Sequence, residues 1–417
     1  MKKLLLCFFF IFFTLYIFLN PNAVIPYSFY VNNLYAAPFN RLIVWLARDV
    51  FHLVGPSVPL YNLIVDTVFA YLTILFISTV AFLGSLIWVI FERGRGNYNR
   101  LYNLLILILR YFLAVSWIAY GCIKLARLQF PVFTPEMLIQ TYGNSSPRDL
   151  AWSFMGYSNG YNYFIGVIEC GVGLMLFFRR TSTLGNLFGL IILANVMAFN
   201  YSFDVNVKIL ATTLMAMSLC LLTKDLKRLS DFFFRDKSTD PPPKHSGHFK
   251  TKWKNNALVA GKCVFIFLVL FFDLHGDLAR DKQTRLKTIK APLYGIYKVE
   301  TLIRNGDTLQ PLTTDTTRWN KLIISSRVSG AIFTMDDNLK YINVKIDTLK
   351  KTLVLRSNSN PSDEYHLTYA QLKPGELIFH GTLNKDSLQI ILHKIDLHKL
   401  PLMRRDFRWI IDRHYSN

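Results

Sequence analysis

The residues of this chain that could do chemistry are charged side chains inside apolar segments. In "GVIECGVGLMLFFRRTSTLGNL" (residues 166–187), Glu169 and Cys170 lie in the middle of an apolar run that ends in two arginines. Arg110 lies inside an earlier apolar run. Because an unpaired charge in hydrocarbon costs about several kcal/mol, each of these charges is expected to have a partner or a water-filled cavity.

The spacing predicts that Arg110 and Glu169 pair with each other. Counted from the ends of their runs that face the same side, both lie ~13 Å above one boundary at a helical rise of about 1.5 Å per residue. We expect the pair to form directly, through one water, or through Asn195. Two roles are open for it: an ion pair that only locks the helices, or a pair that anchors or protonates a bound headgroup.

A second polar cluster is expected near the opposite face of the same helices. Asp204 and Lys208 are four residues apart, as in a helical ion pair, and Lys124 ends its run at a similar height. Solvation at the membrane rim explains most of these charges. A site that opens toward the C-terminal region is the alternative. The full cluster is Asp66, Lys124, Arg127, Asn200, Asp204 and Lys208.

Composition places the chain in a membrane. Of 417 residues, 52% are hydrophobic and only 18% are charged, and the mean hydropathy is positive. The formal charge of +20 does not indicate a nucleic-acid partner, because the basic residues fall mostly between the apolar runs and form no binding motif. Membrane lipid is the expected partner.

The five cysteines predict neither a disulfide framework nor a metal site. All of them lie in apolar runs, and no two are arranged as Cys-x-x-Cys. We interpret them as small packing residues. The chain also lacks a haem, flavin or iron–sulfur motif.

Seven apolar runs are long enough to span a membrane, since a ~30 Å hydrocarbon core needs about 20 helical residues. The first could instead be a cleaved signal peptide, but an uncleaved anchor is favoured because no small-x-small cleavage site follows it directly. The predicted spans are Leu4–Leu19, Tyr61–Phe91, Leu101–Ile123, Ser158–Phe178, Thr183–Phe203, Asn206–Leu222 and Ala257–Asp273.

Clusters of lysine and arginine occupy alternate connections between these runs. By the positive-inside rule, they predict a multi-pass protein of the bacterial inner membrane with a cytoplasmic N-terminus. The segment after Asp273 is then extracytoplasmic. Between the first two spans, residues 39–55 predict an amphipathic helix on the outer leaflet, because helically spaced apolar residues are interrupted by charges.

From about residue 291 the pattern becomes that of short strands. Segments such as "KYINVKIDT" and "SLQIILHKI" are rich in β-branched residues and are separated by turn signals such as "RNGD" and "LNKD". They predict a small antiparallel barrel or sandwich, in which Trp319 plugs one end and Arg408 and Trp409 close the other.

These patterns divide the chain into six parts. Residues 1–60 carry the anchor and interfacial helix, 61–100 the second span, and 101–222 a four-helix core. The remaining parts are a basic cytoplasmic loop at 223–256, in which "STDPPPKHSGH" reads as a linker, the last span and linker at 257–290, and the β-domain at 291–417.

Two segments of the core resemble the hallmark segments of the DoxX-like integral membrane family. They are "RYFLAVSWIAYGCIKL", with Arg110, Gly121 and Lys124, and the segment around Glu169 that opens this section. The resemblance implies a four-helix membrane core, here residues 101–222, within a longer subgroup that carries a C-terminal extracytoplasmic domain. Some members of that family are subunits of quinone-linked oxidoreductases or partners of enzymes of thiol and oxidative stress.

Two functional classes follow from these predictions. The first is an accessory subunit of a quinone-linked redox or thiol system, with a redox partner protein; quinone is the one redox cofactor that we expect, bound by Arg110, Asn195 and Glu169 if they converge. The second is a membrane-anchored ligand-binding or assembly module that uses its β-domain. A transporter is disfavoured for want of internal repeats, and a hydrolase for want of a nucleophile motif.

Overall fold

The structure is a computed structural model of the chain. It describes residues 2–19, 28–53, 65–92, 98–130, 132–235, 237–238, 251–289, 292–360 and 363–403. The linker "STDPPPKHSGH", apart from its first residue, and the predicted closing residues Arg408 and Trp409 lie outside the described residues.

The N-terminal two thirds of the described chain is helical. The helices are α1 (Lys2–Leu19), α2 (Ser28–Trp45), α3 (Val68–Phe91), α4 (Tyr98–Leu125), α5 (Pro135–Ile139), α6 (Pro147–Tyr157), α7 (Asn159–Phe177), α8 (Ser182–Ser202), α9 (Lys208–Leu222), α10 (Leu226–Arg235) and α11 (Lys252–Ile289). One turn of π-helix, Leu46–Val50, continues α2.

Six of these helices are long and apolar enough to cross a membrane, which confirms the predicted membrane bundle. They are α1, α3, α4, α7, α8 and α11. A seventh span results if α9 and α10, which meet at a bend of 74°, are counted together. The segment predicted as an amphipathic helix at residues 39–55 falls on the second half of α2 and its π-turn, so this helix begins earlier than its charges indicated.

The bundle is centred on α4, whose residues supply much of its apolar core. Leu109, Leu113 and Ile118 of α4 are almost completely buried, as are Leu176 of α7 and Met217 of α9. Aliphatic packing of this density fixes the depth and rotation of each helix. Side chains on α4 are therefore held in one register against α7.

Glycines bring α4 and α7 into close contact. A Cβ atom on Gly121 of α4 would lie 2.8 Å from the carbonyl oxygen of Gly166, and a Cβ on Gly173 of α7 would lie 2.7 Å from that of Ala114. Only residues without a side chain allow this approach of two backbones. The contacts define an antiparallel register in which Gly121 lies opposite Gly166 and Ala114 lies opposite Gly173.

The C-terminal region is a closed antiparallel β-barrel. Of the two predicted architectures, a barrel or a sandwich, the barrel is confirmed. The strands are β1 (Gly295–Arg304), β2 (Asp307–Thr308), β3 (Trp319–Ile324), β4 (Ser329–Thr334), β5 (Leu339–Asp347), β6 (Thr352–Ser357), β7 (Glu364–Lys373), β8 (Glu376–Leu383) and β9 (Asp386–Ile395). Neighbours pair in chain order from β3 to β9, β1 pairs with both β3 and β9, and β2 is a two-residue addition to β1. Closure by eight strands removes the edges that an open sheet would expose.

Alternating side chains fill the barrel. Leu322, Leu355 and Phe379 are fully buried in its interior cluster. The opposite face of β1, β3 and β4 is also apolar, and its Ile296, Ile323 and Phe333 pack against Leu138 and Ile139 of α5. The second half of β3 and the middle of β4 are therefore buried on both faces, which explains the apolar runs "LII" and "GAIF" in their sequences.

The chain divides into two compact units. The helical unit comprises Met1–Gln129 and Gly160–Leu278, and the barrel unit comprises Phe130–Asn159 and Ala279–Asn417. The segment Phe130–Asn159, which the sequence placed within the four-helix core, thus belongs with the barrel. The apolar side chains of α5 pack against the outer face of β3.

Candidate functional site

The buried carboxylate in the bundle pairs with a lysine. Nζ of Lys124 on α4 lies 2.8 and 2.7 Å from the two carboxylate oxygens of Glu169 on α7. Both residues are buried, with 6% and 2% of their surfaces exposed. The predicted pairing of Glu169 with Arg110 is therefore wrong.

The register of α4 against α7 explains this partner. With Gly121 opposite Gly166, Lys124 and Glu169 are offset by six residues along the helices, which is about 9 Å or nearly two helical turns. Side chains in a helix lean toward its N-terminus. Since the helices are antiparallel, the two side chains lean toward each other and close that distance.

Arg110 lies elsewhere in the bundle. The same register places Arg110 at the level of Phe177, the last residue of α7, and the ring of its neighbour Tyr111 contacts Phe177 at 5.6 Å between centroids. Helix α4 has 28 residues and α7 has 19, so α4 begins well beyond the end of α7. Leu101 and Phe178, the two ends that the prediction took to be level, therefore lie at different depths.

Asn195 does not join either group. It lies on an exposed face of α8, while the buried residues of that helix include Gly189, Leu193 and Asn200. The three side chains that were expected to surround a quinone, Arg110, Asn195 and Glu169, therefore do not form one site.

Two thiols lie beside the ion pair. The side chains of Cys122 on α4 and Cys170 on α7 interact directly, and both residues are buried. Sγ of Cys170 lies so close to the backbone of Gly121 that a Cβ there would be 2.5 Å from it. Cys170 also interacts electrostatically with Lys124 and Glu169. These two cysteines, which the sequence indicated as separate packing residues, form a thiol pair in a polar environment.

The predicted outer cluster is divided into separate structural roles. The carboxylate of Asp66 accepts the backbone N–H groups of Lys208 and Ile209 at 2.7 and 2.9 Å, so it caps the first turn of α9. Lys208 and Asp204 form the expected ion pair at 2.7 Å, and this hydrogen bond holds the pKa of Asp204 below its usual range.

Of the other three members of that cluster, Arg127 is half-buried, and Asn200 and Lys124 are buried. Asn200 is 3% exposed, and its Nδ2 has no hydrogen-bond partner within the described part of the chain. Lys124 belongs to the ion pair with Glu169. The predicted cluster therefore does not form one site, because its charged members have separate partners.

The barrel carries a cavity of about 440 Å³ at its surface. Trp319 does not line it; this residue is 3% exposed, and its ring packs edge-on against Tyr365 at 5.0 Å. Its buried neighbour Arg318 donates to the carbonyl oxygens of Leu309, Trp319 and Glu300. The cavity is lined by Leu293, Tyr294, Tyr297, Gln371, Gly375, Leu377 and Lys394.

No group of three or more histidine, cysteine or carboxylate residues within the described ranges is arranged to hold a metal ion.

The thiol pair was not predicted from the sequence. Each cysteine directly follows a residue that the sequence had singled out, Cys122 following Gly121 and Cys170 following Glu169. Pairing the two glycine-bearing segments at their point of closest approach would have identified it.

Fold and site together define an α-helical membrane protein with a closed β-barrel domain and a buried thiol and ion-pair centre. The chain is 36% identical over 124 residues to the uncharacterized protein YwoB of Bacillus subtilis strain 168, a match that covers 79% of that protein and 30% of this chain. It belongs to the same family as YwoB. No protein-family model and no solved structure matches the chain.

Proposed function

We propose that this chain is a DoxX-like accessory subunit of a thiol redox system in the bacterial inner membrane, and that Cys122 and Cys170 are its reactive pair. The observation that carries the proposal is the direct interaction of the two thiols beside the buried Lys124–Glu169 pair. The thiol and oxidative-stress alternative from the sequence is thereby favoured over the quinone-linked one. Its redox partner is then a protein that regenerates the reduced thiols.

The surroundings of Cys170 suit a reactive thiol. Buried thiols are normally inert because burial disfavours the thiolate, which is the nucleophile. Here a hydrogen bond from the Cys122 thiol favours negative charge at Cys170, and the ammonium group of Lys124 adds to this effect, against burial and the carboxylate of Glu169. Cys122 is completely buried behind Cys170, which is 9% exposed. We assign Cys170 as the attacking residue and Cys122 as the resolving residue.

The oxidant in this proposal is a hydroperoxide, because a small oxidant suits thiols that are buried between two helices. The Cys170 thiol gives up its proton, and the thiolate attacks the peroxide, forming an S–O bond and breaking the O–O bond. The leaving alkoxide takes the proton and becomes an alcohol. The Cys122 thiol then attacks the sulfenic sulfur, so that an S–S bond forms and water leaves. Two thiols are oxidised by two electrons and the peroxide is reduced by two.

No step of the proposed thiol oxidation uses a quinone. The predicted donors Arg110, Asn195 and Glu169 lie apart, so they do not form one headgroup site. The proposal places the N-terminus in the cytoplasm and the barrel outside, as the distribution of Lys and Arg indicates.

The test is oxidation of the purified protein in detergent by a hydroperoxide. Wild type is expected to lose two alkylatable thiols. Cys122→Ser should stop at a sulfenic acid that a dimedone probe labels, and Cys170→Ser should not react. Cys263→Ser, which changes an exposed cysteine on α11, should behave as wild type. Unchanged thiol content in wild type, or the same loss in Cys170→Ser, would overturn the proposal.

The surface cavity of the barrel favours a second function, the ligand-binding module predicted as the alternative. Its lining combines the apolar Leu293 and Leu377 with the polar Tyr294, Gln371 and Lys394, a mixture that is typical of small-molecule sites. Native mass spectrometry of gently purified protein tests this idea. A small molecule retained by wild type and absent from Tyr294→Ala supports it, whereas identical masses apart from the substitution contradict it.

A further inference from the structure

Arg110 is a buried cation for which the described part of the chain supplies no matching anion. It is 8% exposed, and its Nε has no hydrogen-bond partner among the residues that the structure describes. Its guanidinium group lies 5.1 Å from the centroid of the Tyr111 ring, a contact that supplies no negative charge. A buried guanidinium is stable only when its charge and its donors are matched.

Further cations converge on the same end of the bundle. Arg179 and Lys262 interact electrostatically with Arg110, and Lys224 interacts with both Arg110 and Arg179. Nζ of Lys262 donates to the carbonyl oxygen of Phe177, which places it beside the turn that carries Arg179. Nζ of Lys224 lies 3.0 Å from Oγ of Ser182, on the other side of this turn.

The carboxylate of Asp225, which lies beside Lys224, has other partners as well. Asp225 accepts a hydrogen bond from Thr183, lies 3.3 Å from Arg228, and lies 3.6 Å from Lys224. It therefore offsets at most the charge of Lys224. Arg110, Arg179 and Lys262 still have an excess of positive charge around one point.

Helix α10 marks this end of the bundle as a membrane interface. It follows α9 after a bend of 74° and exposes Phe232, Phe233 and Phe234. A helix with exposed aromatic residues on one side and basic residues on the other is typical of a segment that lies at the boundary of lipid and water. The cations around Arg110 lie at the same end of the bundle as this helix.

We propose that Arg110, Arg179, Lys224 and Lys262 form a binding site for a phosphate group, which is either the headgroup of an anionic lipid or free phosphate. A tetrahedral phosphate offers several oxygens to donors that approach from different helices, and arginine recognises it through its fork of N–H groups. The site is separate from the thiol pair, and it is independent of the redox proposal.

Binding is tested on the full chain in detergent with two probes. Phosphatidylglycerol, with phosphatidylcholine as the matched zwitterionic lipid, is followed by native mass spectrometry, and inorganic phosphate is followed by thermal stabilisation. Retention of phosphatidylglycerol without an effect of phosphate identifies the lipid as the source, and stabilisation by phosphate identifies the free anion. Both results support the site.

Variants locate the binding on the protein. Arg179→Gln is expected to weaken binding by about tenfold, because one charge-assisted contact is lost. Its neighbour Arg180→Gln is the control and is expected to bind as wild type. Lys262→Gln should repeat the effect of Arg179→Gln, so the test does not depend on the folding of Arg110→Gln. Neither probe binding to wild type, or equal affinities of Arg179→Gln and Arg180→Gln, would refute the proposal.

Discussion

At the scale of single residues, the Lys124–Glu169 pair shows what a sequence can and cannot specify. The need for a partner of Glu169 follows from its place in an apolar run. The identity of that partner depends on how far each helix extends and on the direction in which its side chains lean, which packing between helices decides. The sequence predicted Arg110 as the partner and assigned Lys124 to a separate cluster, whereas the register set by the glycines brings Lys124 to Glu169.

The pair predicts an asymmetric response to substitution. Lys124→Met should lower the free energy of unfolding by about 3–5 kcal/mol, because it leaves Glu169 buried without a counter-charge. The double variant Lys124→Met/Glu169→Met should recover most of this loss, since two apolar side chains fill the same space. Denaturant titration in mixed micelles measures both.

The matched control for this prediction is Lys208→Met. It removes a lysine from an ion pair of the same length, but Asp204 in that pair is exposed to solvent. Its effect should be close to zero. Equal losses in Lys124→Met and Lys208→Met would show that burial of the Glu169 carboxylate does not matter.

At the scale of elements, the close approach of α4 and α7 positions the thiols and the ion pair. Gly121→Ala is expected to destabilise the bundle by about 1–3 kcal/mol, because the added Cβ would meet Sγ of Cys170 and the backbone of α7. It should also slow formation of the disulfide, since the helices must separate. Thermal unfolding and the rate of thiol loss report these two effects.

Gly171→Ala is the control for that substitution. Gly171 lies on α7 next to Cys170, but a Cβ at this position meets nothing within 4 Å. The variant should be as stable as wild type or slightly more stable, because alanine favours the helix. A loss equal to that of Gly121→Ala would place the helix contact elsewhere.

Elements were easier to predict than their contacts. Apolar length identified the spanning helices, and the regular spacing of turn signals indicated a barrel or sandwich. The choice of a barrel depends on pairing between β1 and β9, which are far apart in the chain. The packing of α5 could not be predicted for the same reason. Leu138 and Ile139 are covered by strands that lie about 150–200 residues later in the sequence.

At the scale of the whole molecule, the barrel carries surface carboxylates whose charged forms stabilise the fold. A hydrogen bond from Asn305 and the ion pair with Arg304 hold the pKa of Asp386 below its usual value of 3.8. Hydrogen bonds from Thr317 and Arg318 likewise lower the pKa of Asp315. Asp386 is the first residue of β9. Its contacts with Arg304, at the end of β1, and with Asn305, in the turn that follows, help to close the barrel.

These shifts predict acid sensitivity of the barrel. A carboxylate with a depressed folded-state pKa adds stability above its unfolded pKa, and this stability is lost as the pH falls through the folded value. The unfolding midpoint of the full chain should therefore decrease from about pH 4 downward. Asp386→Asn should reduce this dependence, whereas an unchanged pH profile in that variant would exclude a contribution from Asp386.

The central claim is that Cys122 and Cys170 act as one redox pair, and peptide mapping tests it most directly. The protein is exposed to hydroperoxide in its membrane, alkylated, digested without reductant and analysed by mass spectrometry. The account predicts a disulfide-linked peptide pair that contains Cys122 and Cys170, with Cys7, Cys220 and Cys263 alkylated. Alkylated Cys122 and Cys170, or a disulfide that joins either of them to another cysteine, would contradict it.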